Sequence, residues 1–192
     1  MQAARGTSVA AEDSTDRSGD RTVPRASAWR VFALVALGLY AVDVVTKVVA
    51  LDRLEGRDDV EVVGEILQLH LTRNPGAAFS TGTQYTVVLT CVAIAAVLVV
   101  LWLSRRLANT LWAVGLGFLL AGVAGNLTDR MLRDPGPFRG HVIDFLMLPN
   151  WPVFNVADIC INIAAGLILV QAFRGIRMDG TRAPERQEDQ AE

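Results

Sequence analysis

Four stretches of the chain stay apolar for long enough to cross a lipid bilayer, which takes about 20 mostly apolar residues per helix. They are residues 31–51, 85–103, 110–127 and 153–173. Buried helices of a water-soluble core are usually shorter or carry a polar stripe. The first stretch holds Asp43 and Lys47 and is too long for the apolar region of a cleavable secretory signal, so it is expected to persist as a helix. Between the first two stretches the pattern changes. "DVEVVGEILQLHLTRN" (59–74) alternates apolar and polar positions over short runs, as strands do. "NPGAAFSTG" (74–82) then reads as a turn with a glycine-rich return, and "RDPGPFRG" (133–140) as a Pro/Gly turn in the loop before the fourth stretch. The pattern predicts an all-α membrane protein: a four-transmembrane-helix bundle with a small extracytoplasmic β-cradle between helices 1 and 2.

Composition sharpens this organisation. Of 192 residues 52% are hydrophobic, and they concentrate in 31–173, a single domain with loops at 52–84 and 128–152. Residues 1–30 and 174–192 are polar and charged, with too little apolar surface to offset the entropy of ordering, so both are expected to be disordered tails. An even number of spans puts both tails on one side. Arg17, Arg21, Arg25, Arg30, Arg105, Arg106, Arg174, Arg177, Arg182 and Arg186 lie on that side, close to the spans. The other side spreads six arginines over two longer loops. Lys/Arg excess marks the cytoplasmic face, so the tails should be cytoplasmic.

Net charge is −2 and no basic cluster interleaves with aromatics, which excludes a nucleic-acid partner. Cys91 and Cys160 sit inside apolar runs and read as packing residues. His70 and His141 stand alone, no Cys/His spacing suits zinc, and neither a metal nor a cofactor is expected.

With this topology the unusual polar residues fall at one depth, near the outer face. Asp43, Thr46 and Lys47 are in the outer half of the first span. Asn126 ends the third, with Asp129 and Arg130 following at the surface. Asn155 and Asp158 open the fourth, Asp144 precedes it, and Asn74 and Gly76 belong to the loop between the first two. Ionisable groups within membrane spans are functional candidates by default. Plainer roles exist for some: Asp43 and Lys47 are spaced to pair along a helix, Asp129–Arg130 reads as a loop charge pair, and Asn74 shapes a turn with Pro75–Gly76. Asp158 is hardest to explain so, because a bare charge among "FNVA" and "ICI" costs several kcal/mol unless paired or protonated. Two carboxylates held close cannot both ionise easily, so one becomes an acid while the other stays a base, enough to activate water and protonate a leaving amide.

Five blocks then carry a family resemblance: "DVVTK" (43–47), "NPGAAFS" (74–80), "AGNLTDR" (124–130), "VIDF" (142–145) and "FNVAD" (154–158). In this order, interleaved with four spans, they resemble lipoprotein signal peptidase, the signal peptidase II family of bacterial membrane aspartyl peptidases. The resemblance covers about residues 30–173. It implies a metal-independent aspartic endopeptidase of the bacterial cytoplasmic membrane. Such an enzyme removes the signal peptide of diacylglyceryl-modified prolipoproteins just before the lipidated cysteine. It implies catalytic roles for Asp144 and Asp158. Asp43, Lys47, Asn74, Gly76, Asn126, Asp129, Arg130 and Asn155 would support the site or bind substrate. Membrane lipid and globomycin-type cyclic peptide inhibitors are the further partners implied. The link "LMLPNWPV" between the last two blocks is compact for the family and bears on the shape of the site's rim.

Two other classes remain to compare. A transporter or channel would carry polar residues at the bilayer midplane and in both halves of its spans, whereas here the inner halves are nearly bare. A packing scaffold would account for "GLGFLLAG" but leaves both Asp unexplained.

Overall fold

A computed structural model describes residues 22–76 and 84–182. The expected glycine-rich return at 77–82 and the outer parts of both tails, 1–21 and 183–192, lie outside the described residues. The elements run α1 (Arg25–Leu54), β1 (Val60–Val63), β2 (Leu67–Asn74), α2 (Gln84–Ser104), α3 (Thr110–Leu132), β3 (Val142–Met147) and α4 (Val156–Phe173). All four helices are long and apolar enough to cross a membrane. Large apolar side chains such as Leu34, Leu37, Val92, Leu98 and Leu169 face outward, as lipid rather than water would favour.

Helix α3 is the centre of the bundle and packs on all three others, while α1 also meets α4. Small residues set the spacing. A Cβ added at Gly122 would come within 2.5 Å of the Ala157 carbonyl and 2.7 Å of Ile161 on α4. One added at Gly125 would collide with the Asp43 carboxylate on α1. Close backbone approach through small residues is how membrane helices gain contact without a hydrophobic driving force.

The three strands form one antiparallel sheet in the order β1-β2-β3, with Thr72 opposite Asp144, Arg73 opposite Ile143 and Asn74 opposite Val142. The expected cradle is therefore present between α1 and α2, but its third strand comes from the α3–α4 connection, where a loop was expected. Phe145 anchors the sheet on Ala50 and Leu54 at the end of α1, joined by Leu69, Leu71, Leu146 and Val156. Asp144, one residue earlier, points to the opposite face of the strand.

Other boundaries also differ from expectation. Helix α1 starts at Arg25 rather than residue 31, so 25–30 is not a disordered tail. Helix α3 continues to Leu132, which puts Asp129 and Arg130 on its last turns instead of in a surface loop. Helix α4 starts at Val156, with Asn155 as its N-cap. Residues 174–182, expected as tail, fold back. The Arg177 N–H donates to the Thr181 carbonyl at 2.8 Å and the Ala108 N–H to the Met178 carbonyl at 2.9 Å. Indole Nε1 of Trp112 donates to the Ile176 carbonyl at 2.9 Å.

Candidate active site

The link between β3 and α4 brings two carboxylates together. After Met147 the chain turns tightly, with Asn150 in the left-handed region at φ 57° and the Trp151 N–H donating to the Leu148 carbonyl at 3.2 Å. Phe154 then pairs with Leu146 by two backbone hydrogen bonds of 2.8 and 2.9 Å. The next residue, Asn155, is thereby placed beside Asp144. Its Nδ2 donates to Asp144 Oδ1 at 2.6 Å, and its own N–H donates to Asp158 Oδ2 at 3.1 Å. One asparagine holds both acids.

The second oxygen of each acid is held by another asparagine. Nδ2 of Asn74, at the end of β2, donates to Asp144 Oδ2 at 2.9 Å. Nδ2 of Asn126, on α3, donates to Asp158 Oδ1 at 2.9 Å. Each of these amides is oriented by what its oxygen accepts. Asn74 Oδ1 takes the Gly76 N–H at 2.8 Å, a tight turn that Gly76 makes at φ 111°. Asn126 Oδ1 takes Lys47 Nζ at 2.9 Å and Asn155 Nδ2 at 3.2 Å. With the oxygens so occupied, only the NH₂ groups are left to face the carboxylates.

Lys47 is fully buried and pairs with Asp43 at 2.9 Å and Asp129 at 2.8 Å. Asp43 Oδ1 also receives the Ala157 N–H at 2.8 Å, which ties α1 to the first turn of α4. Asp129 pairs further with Arg133 through a short contact and receives the Ile143 N–H at 3.3 Å. Removing one partner from such a buried ion network strands the others and costs on the order of 3–5 kcal/mol. Arg130 is electrostatically coupled to Asp144, Asp129 and Asp158, and its Nη1 is buried with no hydrogen-bond partner among the described residues.

The two acids differ. Asp144 is 2% exposed, and burial pushes its carboxyl up to about 6. The Asn74 and Asn155 hydrogen bonds and the Lys47 charge pull it down, and the Asp158 charge pushes it up. Asp158 is only half-buried. It also forms a capping box with Asn155, the Asp158 N–H donating to Asn155 Oδ1 at 3.0 Å. A cap alone would need neither the Asn126 contact nor an acid beside it.

The residues given catalytic or supporting roles in the sequence thus lie in this cluster or its immediate support: Asp43, Lys47, Asn74, Gly76, Asn126, Asp129, Arg130, Asp144, Asn155 and Asp158; Thr46, also at this depth, bonds instead to the Val42 and Asp43 carbonyls of its own helix. Asp43 and Lys47 do pair along α1, and Asn74 does shape a turn, but both also brace the cluster. Asp129 pairs with Lys47 and Arg133, which replaces the expected Asp129–Arg130 loop pair. Sequence reasoning missed Arg133, four residues after Asp129, and Thr86 and Thr90 on α2. Thr86 Oγ1 donates to the Pro75 carbonyl at 2.6 Å, and Thr90 Oγ1 reaches the Thr86 and Phe138 carbonyls at 2.8 and 3.0 Å. Their i, i+4 spacing on an otherwise apolar span was the available signal. Among the described residues no group of His, Cys, Asp and Glu is arranged to hold a metal ion.

Comparison with known proteins adds an independent finding. The family model described as signal peptidase (SPase) II matches residues 35–174. A lipoprotein signal peptidase of Leifsonia xyli subsp. xyli is 41% identical over 179 residues, 93% of this chain and 83% of that protein. One of Mycobacterium tuberculosis (strain ATCC 25618 / H37Rv) is 44% identical over 170 residues, 86% of this chain and 84% of its own. A solved structure of a bacterial membrane enzyme superposes with a TM-score of 0.68 at 24% identity, covering 81% of this chain and 98% of that one, a likeness of fold.

Proposed function

The chain belongs to the signal peptidase (SPase) II family, and on that premise we propose that it works as a metal-independent aspartic endopeptidase with Asp144 and Asp158 as its catalytic pair. As a lipoprotein signal peptidase it is a multi-pass bacterial membrane hydrolase acting on peptide bonds. The proposed substrate is a diacylglyceryl-modified prolipoprotein, cut just before the lipidated cysteine. Its signal helix lies against the apolar walls of the spans, in membrane lipid. Globomycin-type cyclic peptides would occupy the same site.

The single observation that carries this reading is the shared hold of Asn155 on both acids. Half-buried Asp158 is the acid that water can reach, so it takes the proton as water oxygen bonds to the scissile carbonyl carbon. Buried Asp144, raised to about 6, carries the proton that passes to the leaving nitrogen as the C–N bond breaks. Burial, two amide donors and the neighbouring acid together set the two groups to opposite tasks. Nη1 of Arg130, without a hydrogen-bond partner among the described residues, is a donor for the carbonyl oxygen as it gains negative charge. Both termini would be cytoplasmic and the site would lie near the extracytoplasmic face.

Purified protein incubated with a diacylglyceryl-modified prolipoprotein should release the signal peptide, and Asp144→Asn or Asp158→Asn should each lower the rate by about 10²–10⁴. The double variant should be little worse than either single one, because the two act as a unit. EDTA should leave the wild type unaffected. Substantial turnover by either folded variant, or loss of activity to EDTA with recovery on adding a divalent metal, would refute the mechanism. Equal cleavage of an unlipidated soluble peptide would refute the substrate.

A further inference from the structure

Helix α2 contributes no charged residue, yet it begins at the site in a hydrogen-bonded chain. Thr86 is 1% exposed, and its Oγ1 donates to the Pro75 carbonyl at 2.6 Å. That carbonyl belongs to the Pro75–Gly76 peptide, whose N–H, on the opposite edge of the same rigid plane, donates to Asn74 Oδ1 at 2.8 Å. Asn74 Nδ2 in turn donates to Asp144 Oδ2 at 2.9 Å. From Thr86 to Asp144 every donor points the same way along the chain, the arrangement in which successive hydrogen bonds polarise one another.

The plane needs such a hold. Glycine tolerates either sign of φ, so the Pro75–Gly76 peptide can rotate in place at low steric cost. A rotated plane would turn its N–H away from Asn74 Oδ1 and remove a contact that aims that amide at Asp144. The helix also blocks the space beside the turn, since a Cβ at Gly76 would come within 2.7 Å of Leu89 on the next turn of α2.

We propose that Thr86 is a positioning residue for the reaction: by fixing the Pro75–Gly76 peptide it aims the Asn74 amide at Asp144. This rests on the catalytic role proposed for Asp144. Thr86 touches no reacting atom, so its effect is on turnover and not on substrate affinity. The Asn74 hydrogen bond favours the ionised form of Asp144. Weakening it makes that acid hold its proton to higher pH. The other charges facing Asp144 are Asp158 from α4, Lys47 from α1 and Arg130 from α3, and Thr86 makes its side-chain hydrogen bond to the Pro75 carbonyl instead.

The test is the pH–rate profile of Thr86→Val, Thr86→Cys and Thr86→Ser beside Asn74→Ala, on full-length protein with the lipidated substrate. Valine keeps the shape and removes the donor, serine restores it, and cysteine supplies a weak one. Thr86→Val should lower kcat about three- to tenfold with KM unchanged, the scale of one net hydrogen bond. It should move the Asp144 inflection up by about half a pH unit, in the direction of Asn74→Ala but less far. Thr86→Cys should fall between, and Thr86→Ser should match the wild type. A Thr86→Val enzyme with wild-type kcat and inflection, or one altered in KM alone, overturns the inference. If valine prevents folding, a Thr86→Cys enzyme indistinguishable from wild type overturns it equally. If Asn74→Ala leaves the inflection in place, it is the role given to Asp144 that fails.

Discussion

At Asp144 burial and hydrogen bonding pull in opposite directions, and burial wins: the carboxyl is raised from 3.8 to about 6 despite two amide donors. A folded state that binds the proton more tightly than the unfolded chain loses stability as pH rises between those two values. The cost is absent below 3.8, complete above about 6, and on the order of 3 kcal/mol for a shift of this size. Asp144→Asn carries no charge to desolvate, so its melting temperature relative to wild type should climb between pH 4 and pH 7; a difference independent of pH would contradict the buried, proton-holding acid. In the proposed mechanism the same group sets an alkaline limit. Bound peptide removes more water and raises the acid further, so the limb seen in kcat should lie at higher pH than the limb near 6 in kcat/KM. Residues of this kind were legible in the sequence because a carboxylate beside an apolar run is costly and demands an explanation. Thr86 left only the faint signal of its spacing from Thr90, because a hydroxyl inside a membrane helix is satisfied by its own backbone in most contexts. Arg133 read as a loop charge, because hydropathy ended the helix before it.

Helix α3 reaches five residues past its expected end, from Leu127 to Leu132, because Asp129 finds Lys47 and Arg133 inside the bundle and Arg130 faces the acids. A hydropathy pattern counts such residues as unfit for a span, whereas paired charges are retained there. β3 escaped notice for a related reason. "VIDFLM" shows no alternation, since four of its residues are buried, and only pairing with β2 makes it a strand. The glycines of α3 decide how near these elements come. Gly125→Ala should push α3 from α1 at Asp43 and disturb Lys47 and Asn126 behind it. The expected result is a destabilisation of about 1–3 kcal/mol and a clear loss of activity. Gly38→Ala, with open space around it, is the matched control and should leave melting temperature and turnover near wild type. If Gly125→Ala is as benign as Gly38→Ala, the close packing of α3 on α1 is not what places Asn126.

The molecule has two unlike ends. One holds the sheet and the acids; the other gathers Arg25, Arg30, Arg105, Arg106, Arg174, Arg177 and Arg182 around the folded-back segment after α4, with Arg106 lying 4.7 Å over the Trp102 ring. Span number and chain order were legible from hydropathy alone, and this segregation from the arginine bias; the meeting of β2 with β3 depends on contacts far apart in the chain and was not. In a background with Cys91 and Cys160 replaced, a cysteine at Glu61→Cys should react with a membrane-impermeant reagent on intact cells, and one at Asp179→Cys only after permeabilisation. The reverse pattern would invert the proposed orientation. The tight turn after Met147 has a consequence for how the enzyme comes into being. By pinning Phe154 to Leu146 it draws both proposed catalytic acids from one short segment, 144–158, that the ribosome makes late. Asp43, Lys47, Asn74 and Asn126 are synthesised before it. The proposed catalytic pair can therefore come together only after every side chain that braces it has been made.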